Sequence, residues 1–151
     1  MRYVTIICLF LFTTFFGAVE AVEAEAVPVW VLAGILGVES SSFYNADGSI
    51  TYVNRKRGRD GELGPWQCTR DAFNDIRGPG DDFQRLARDP VYAEEVAIRR
   101  LLWLQKKLGP GWDRIIRAYN KGVGGARKGR GHAYLADVKA WSKRIMPEAM
   151  P

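Results

Sequence analysis

Apolar positions along this chain recur mostly at helical spacing, and only one short stretch alternates as a strand would. Pro28, suited to a first turn, opens an apolar run from Val29 to Val38. Leu32, Ile35, Leu36, Glu39 and Phe43 fall at i, i+3, i+4, i+7 and i+11. At 3.6 residues per turn they share one helical face. Asn45, Asp47 and Gly48 then mark a turn, Ser49 to Val53 is β-prone, and Gly58 to Gly61 reads as a second turn. Thr69 is placed to cap a short helix through about Ile76, which Gly78-Pro79-Gly80 ends. Asp81 to Arg88 is expected to be helical. Asp89-Pro90, an N-cap followed by a first-turn proline, opens the longest helix, to about Leu108. After Gly109-Pro110-Gly111 a helix runs from Trp112 to about Lys121, with Gly122 past its end. The glycines and bases from Gly122 to Gly131 are expected to form a loop, and a last helix covers roughly Ala133 to Ile145. The pattern predicts a mainly α fold with some β (α+β), a small β-hairpin being inserted after the first of these helices.

Composition narrows the chemistry. The chain has 151 residues, enough for one domain, and 47% of them are hydrophobic, so it can build a core. One His and two Cys nearly exclude His/Cys metal cages and His-based triads. The first residues read differently from the rest. Arg2, a short apolar run from Val4 to Phe16 and small residues near Ala21, Ala24 and Ala26 describe a secretory signal peptide over 1–26, cleaved near 21–26. The run is shorter than a bilayer span requires, although an uncleaved anchor is the alternative. We therefore expect an exported protein of the periplasm or cell envelope, with no stable membrane span after cleavage and a catalytic domain over 27–151. Loss of 1–26 leaves 21 basic and 14 acidic side chains, a net charge of +7. Such a charge favours polyanions, but the bases are scattered along the helices with no interleaved aromatic platform, which argues against nucleic acid. Cys8 falls in the signal. Cys68 is then alone, and we expect a small buried hydrophobe rather than a nucleophile.

Glu39 is the anomaly. It lies in an apolar stripe near a helix C-terminus, where burial and the helix dipole both disfavour negative charge and raise a carboxyl pKa. A carboxyl that stays neutral near pH 7 is what a general acid needs. The structural alternative is a Glu at a frayed helix end, reaching water or one of the many Arg.

Four segments occur in order: Glu39-Ser40-Ser41-Ser42, Gly64-Pro65-Trp66-Gln67, Ala118-Tyr119-Asn120-Lys121-Gly122, and Tyr134 with Val138. Together they resemble the soluble lytic transglycosylase (SLT) family, over roughly Val27 to Met146. The resemblance implies a fold like that of goose-type lysozyme and no cofactor or metal. It implies a peptidoglycan lytic transglycosylase that cleaves the MurNAc-β-1,4-GlcNAc bond and forms 1,6-anhydro-MurNAc. Glu39 would be the single acid/base. Ser40 would orient the carboxyl or the sugar, Gln67 would bond sugar hydroxyls or the N-acetyl group, Tyr119 and Asn120 would flank the cleft, and Tyr134 would reach back toward the acid. The partners implied are peptidoglycan glycan strands and a machine that crosses the wall, for secretion, conjugation or pilus assembly.

Pro65-Trp66 stands where the family has Leu-Met, so Trp66 is expected to narrow the cleft or stack on a sugar. Read from the residues alone, Tyr119 and Tyr134 also suit core packing, Gln67 a turn-stabilising bond, and Arg127-Lys128-x-Arg130 either a solvated loop or contact with anionic wall polymer. Asp47, Asp60 and Glu62 are candidate second carboxylates for a lysozyme-like hydrolase. A wall-binding module without chemistry is the reading from another class.

Overall fold

The computed structural model describes residues 27–45, 47–53 and 57–150. The expected signal peptide, Cys8 and part of the hairpin segment lie outside them. Five α-helices, α1 (Val29–Ser40), α2 (Arg70–Asn74), α3 (Pro90–Leu108), α4 (Trp112–Arg127) and α5 (His132–Ile145), surround one core. Between α1 and α2 lies an antiparallel pair, β1 (Phe43–Tyr44) and β2 (Ile50–Thr51), in which Phe43 faces Thr51 and Tyr44 faces Ile50. The Tyr44 hydroxyl donates to Glu94 on α3 and ties this hairpin to the helices. Among the described residues no helix is long and apolar enough to cross a membrane.

α1 is the central element. Trp30 to Gly37 are buried on every side, so the helix has no solvent face to contrast with an apolar one. Val31, Ile35 and Leu36 are wholly buried, each stabilising the fold by about 1.5–3 kcal/mol. Glu39 is therefore not a charge on the wrong side of an amphipathic helix. It is the last turn of a buried one. Phe43 does not continue that helix: Ser41 takes a left-handed conformation (φ 57°) and its N–H bonds the Gly37 carbonyl, and Phe43 lies beyond this stop in β1.

The capping signals hold locally. The Thr69 side chain accepts from the Ala72 N–H, and that of Asp89 from the Tyr92 N–H ahead of Pro90. Two expectations need correction. Asp81 to Arg88 forms a five-residue 3-10 helix, Phe83–Ala87, because Asp82 caps it at Gln84 and the next helix already starts at Pro90. The segment from Gly122 is not all loop. Gly122 interrupts α4 with φ 67° and ψ 170°, and the helix resumes to Arg127, anchored by buried Ala126. A φ of that sign costs glycine nothing.

α5 lies directly on α1. A Cβ on Gly34 would sit 2.3 Å from the Ser142 hydroxyl and 2.6 Å from the Val138 carbonyl, and one on Gly37 would sit 2.6 Å from the Trp141 ring. Buried Ser142 donates across the contact to the Trp30 carbonyl at 2.7 Å. Gly34→Ala should thus destabilise the protein by about 1–3 kcal/mol through overpacking, although alanine is the better helix former by roughly 1 kcal/mol. Denaturant unfolding of the two proteins measures this, and an unchanged or higher midpoint for the variant contradicts the close approach.

Candidate active site

The end of α1 and the start of α5 meet at a carboxyl group. The Tyr134 hydroxyl donates to Glu39 Oε1 at 2.6 Å, from the first turn of α5. Burial of Glu39 raises its pKa from an ordinary 4.5 to about 7, the Tyr134 bond acting against the rise and nearby Glu62 adding to it. Tyr134 is itself buried, and desolvation followed by the charge of Glu39 holds its phenol well above the usual tyrosine range. It donates its proton to Glu39 without losing it.

Tyr119, on α4, completes the inner wall. Its hydroxyl donates to the Trp66 carbonyl at 3.0 Å, and burial again raises its pKa, with smaller contributions from Cys68 and Glu39. The phenol thus pins the turn at Gly64–Gln67 beside the acid. That turn is closed by paired backbone bonds between Leu63 and Cys68. Only glycine fits at position 64, where φ is 78° and a Cβ would meet the Leu86 carbonyl at 2.6 Å. The Gln67 amide donates to the Gly64 carbonyl at 2.8 Å, so the turn-stabilising reading of Gln67 describes this bond. Its Oε1 and Glu62 Oε2 both lie over Gly58, where a Cβ would be 2.5 and 2.2 Å from them.

Among the described residues, the only non-glycine residues with positive φ are Ser41 and Gln67. Each costs of order 1 kcal/mol; Ser41 follows Glu39 by two residues, and Gln67 stands beside Glu62.

Other expectations find different places. Ser40 is buried, its hydroxyl donating to the Leu36 carbonyl at 3.1 Å and lying 2.8 Å from that of Ser42. It is committed to the helix end and to Ser42, which accepts from the Val53 N–H just past β2, rather than to the Glu39 carboxyl. Asn120 is exposed on α4. Trp66 is 1% exposed and sits in the core, so it neither narrows a cleft nor offers a face to a sugar. Cys68 is a buried hydrophobe whose thiol is pushed up to about 12 by desolvation. Of the three further carboxylates, Asp47 is bound to the Ser49 N–H and hydroxyl in the hairpin turn, and Asp60 faces solvent beside Arg59. Glu62 is half-buried, and it alone of the three acts on Glu39. The sequence offered three equal choices and no means of ranking them. A separate open groove of about 540 Å³ runs along α5, and its described lining, including Val38 and Trp141, contains none of the candidate site residues.

The family model described as a transglycosylase SLT domain matches residues 18–142, most of the chain. The protein belongs to the SLT domain family. No curated protein and no solved structure matches the chain significantly. The family is of the lytic-transglycosylase, peptidoglycan-cleaving type. In this SLT domain the match runs from before α1 to Ser142 on α5, so both Glu39 and Tyr134 fall inside it.

The raised pKa has a stability consequence. Below about pH 4.5 Glu39 is protonated folded or unfolded, and its burial is free of charge cost. Above about 7 the folded state must hold a desolvated carboxylate, so this stability is lost as pH rises. Glu39→Gln should therefore raise stability at pH 8 by about 2 kcal/mol, roughly 6 °C in Tm, and by nothing near pH 4. Thermal melts of both proteins across that range read the difference. Tyr134→Phe removes a bond that favours the charged form, so the Glu39 titration followed by carboxyl-labelled NMR should move above about 7.

Proposed function

We propose that this SLT domain is a lytic transglycosylase that cleaves the β-1,4 bond from MurNAc to GlcNAc in peptidoglycan, with Glu39 as its single acid and base. The observation that carries this reading is the half-buried Glu39 carboxyl at the end of α1, bonded to Tyr134, with desolvation pushing its pKa up to about 7. Protonated Glu39 donates to the glycosidic oxygen, and the C1–O bond breaks as GlcNAc leaves with its 4-hydroxyl. The acetamido group of MurNAc supports the positive charge at C1. Glu39, now a carboxylate, takes the proton of the MurNAc C6 hydroxyl as O6 bonds C1, closing the 1,6-anhydro ring and restoring the acid. No water is consumed. Tyr134 steadies the carboxylate between the two transfers, Gln67 and Asn120 serve as sugar contacts at the rim, and Tyr119 keeps the Gly64–Gln67 turn in register. The same reading places the protein in the periplasm or cell envelope, exported behind residues 1–26, where it opens the wall for a secretion, conjugation or pilus machine.

A specific observation favours a second reading. Glu62 is a carboxylate near enough to Glu39 to raise its pKa. Two carboxyls across a glycosidic bond are the equipment of a hydrolase, in which one of them activates water. Mass spectrometry of peptidoglycan digests separates the two. Transglycosylation gives muropeptides lighter by one water than hydrolytic ones. Glu39→Gln should reduce product formation at least about a thousandfold, and the wild-type rate should fall as pH rises above about 7, where the acid is lost. Ordinary reducing ends, abolished by Glu62→Gln, make the protein a hydrolase. Wall binding without product from either chain makes it a binding module.

A further inference from the structure

Cations are unevenly partnered in this molecule. On the side of α2 and the first half of α3, Arg85, Arg88, Arg99 and Arg100 each pair with an aspartate at 2.6 to 2.8 Å. Between Gln105 and Gly131 there are eight basic residues and one acid, Asp113, which Lys139 takes. Among the described residues none of those eight forms an ion pair.

Contacts between helices bring several of them together. Arg127 reaches the Lys107 carbonyl at 3.4 Å and joins the end of α4 to the end of α3. Arg117 lies 3.4 Å from the His132 ring, and Gly131 sits against the Arg117 backbone, joining the middle of α4 to the start of α5. Lys121, Lys128 and Arg130 project from this surface, all exposed. Lysines and arginine in the last turns of α3 and α4 suit the helix dipoles. That accounts for Lys106, Lys107 and Arg127, and not for Lys121, Lys128 and Arg130. Unpaired like charges held together oppose folding, so the fold alone gives no reason for them.

The patch adjoins the acid. Arg130 precedes the first turn of α5 by two residues, and Tyr134 in that turn bonds Glu39. Four residues of chain separate Arg130 from Tyr134, a span of at most about 14 Å between their Cα atoms. Lys121 follows the exposed Asn120. Half-buried Trp103, with Lys107 5.3 Å from its ring centre, is a single ring and not the run of stacking platforms of a single-strand nucleic-acid binder. Among the described residues the exposed large apolar side chains are three scattered valines, Val29, Val53 and Val91, which do not make the apolar face of a lipid-surface binder.

We propose that this basic surface binds the free carboxylates of peptidoglycan stem peptides, and so directs the site to glycan strands that still carry them. The inference rests on the peptidoglycan-cleaving reading above. Lys121, Lys128 and Arg130 hold the stems of the strand whose glycosidic bond lies at Glu39, and the contact is electrostatic and screened by salt.

The test compares intact peptidoglycan with strands stripped of stems by an amidase, the lactyl carboxyls that this hydrolysis frees being blocked as methylamides. The variant combines Lys121→Ala, Lys128→Ala and Arg130→Ala, all at exposed positions. On intact wall its KM should rise about tenfold with kcat unchanged, and added salt should bring the wild type toward it. On stripped strands the two proteins should be equal. A charge-keeping variant, Lys121→Arg with Lys128→Arg and Arg130→Lys, should retain the wild-type KM and so separates charge from folding. Equal loss on both substrates, or no loss on intact wall, overturns the proposal. Should the wild type cleave neither substrate, the enzymatic reading fails alone. Cosedimentation of Glu39→Gln protein with intact and stripped wall then decides the surface, and equal retention on both overturns it.

Discussion

Gly34 and Gly37 let α5 lie on α1 at a separation that a single methyl group would prevent. The site depends on that approach. It puts Val138 and Ser142 against the buried helix, lets Ser142 bond the Trp30 carbonyl, and carries Tyr134 to within 2.6 Å of Glu39. It also supplies part of the low-dielectric wall that moves the carboxyl to about 7. Packing density and proton affinity are thus two readings of one contact. A helix pair held a few ångströms wider admits water, and the acid reverts toward an ordinary glutamate.

Around that carboxyl the two neighbouring oxygen groups act in opposite directions. Tyr134 donates to the charged form and lowers the pKa, whereas Glu62 repels it and raises the pKa, and desolvation exceeds both. The balance leaves a group that can give a proton and take one back near neutrality. Tyr119 contributes at one remove. By bonding the Trp66 carbonyl it fixes the turn whose strained Gln67 stands beside Glu62.

Much of this was legible in the sequence, because much of it is local. Thr69 and Asp89-Pro90 act within one turn of themselves, and their helices begin where their chemistry says. Glu39 and Tyr134 were recognisable from spacing and motif. What escaped was set by distant contacts. Phe43 has the right spacing for α1, yet the left-handed Ser41 ends the helix first. Val123 to Arg127 looks too glycine-rich to be helical, and buried Ala126 holds it. Trp66 looks like a sugar platform and is spent on the core. Asp47, Asp60 and Glu62 are alike in sequence, and only the fold turns one of them toward the acid.

The Glu39–Tyr134 bond spans 95 residues of chain. Closing so long a loop is entropically costly, and such contacts form late in folding when they belong to the final docking of a terminal helix. Until α5 arrives, Glu39 is a solvated carboxylate at the end of a bare apolar helix, with an ordinary affinity for protons. A chain in which α5 has not yet docked carries the residue without its raised proton affinity. The raised proton affinity of Glu39 is thus a property of the docked pair of α1 and α5, and neither helix carries it alone.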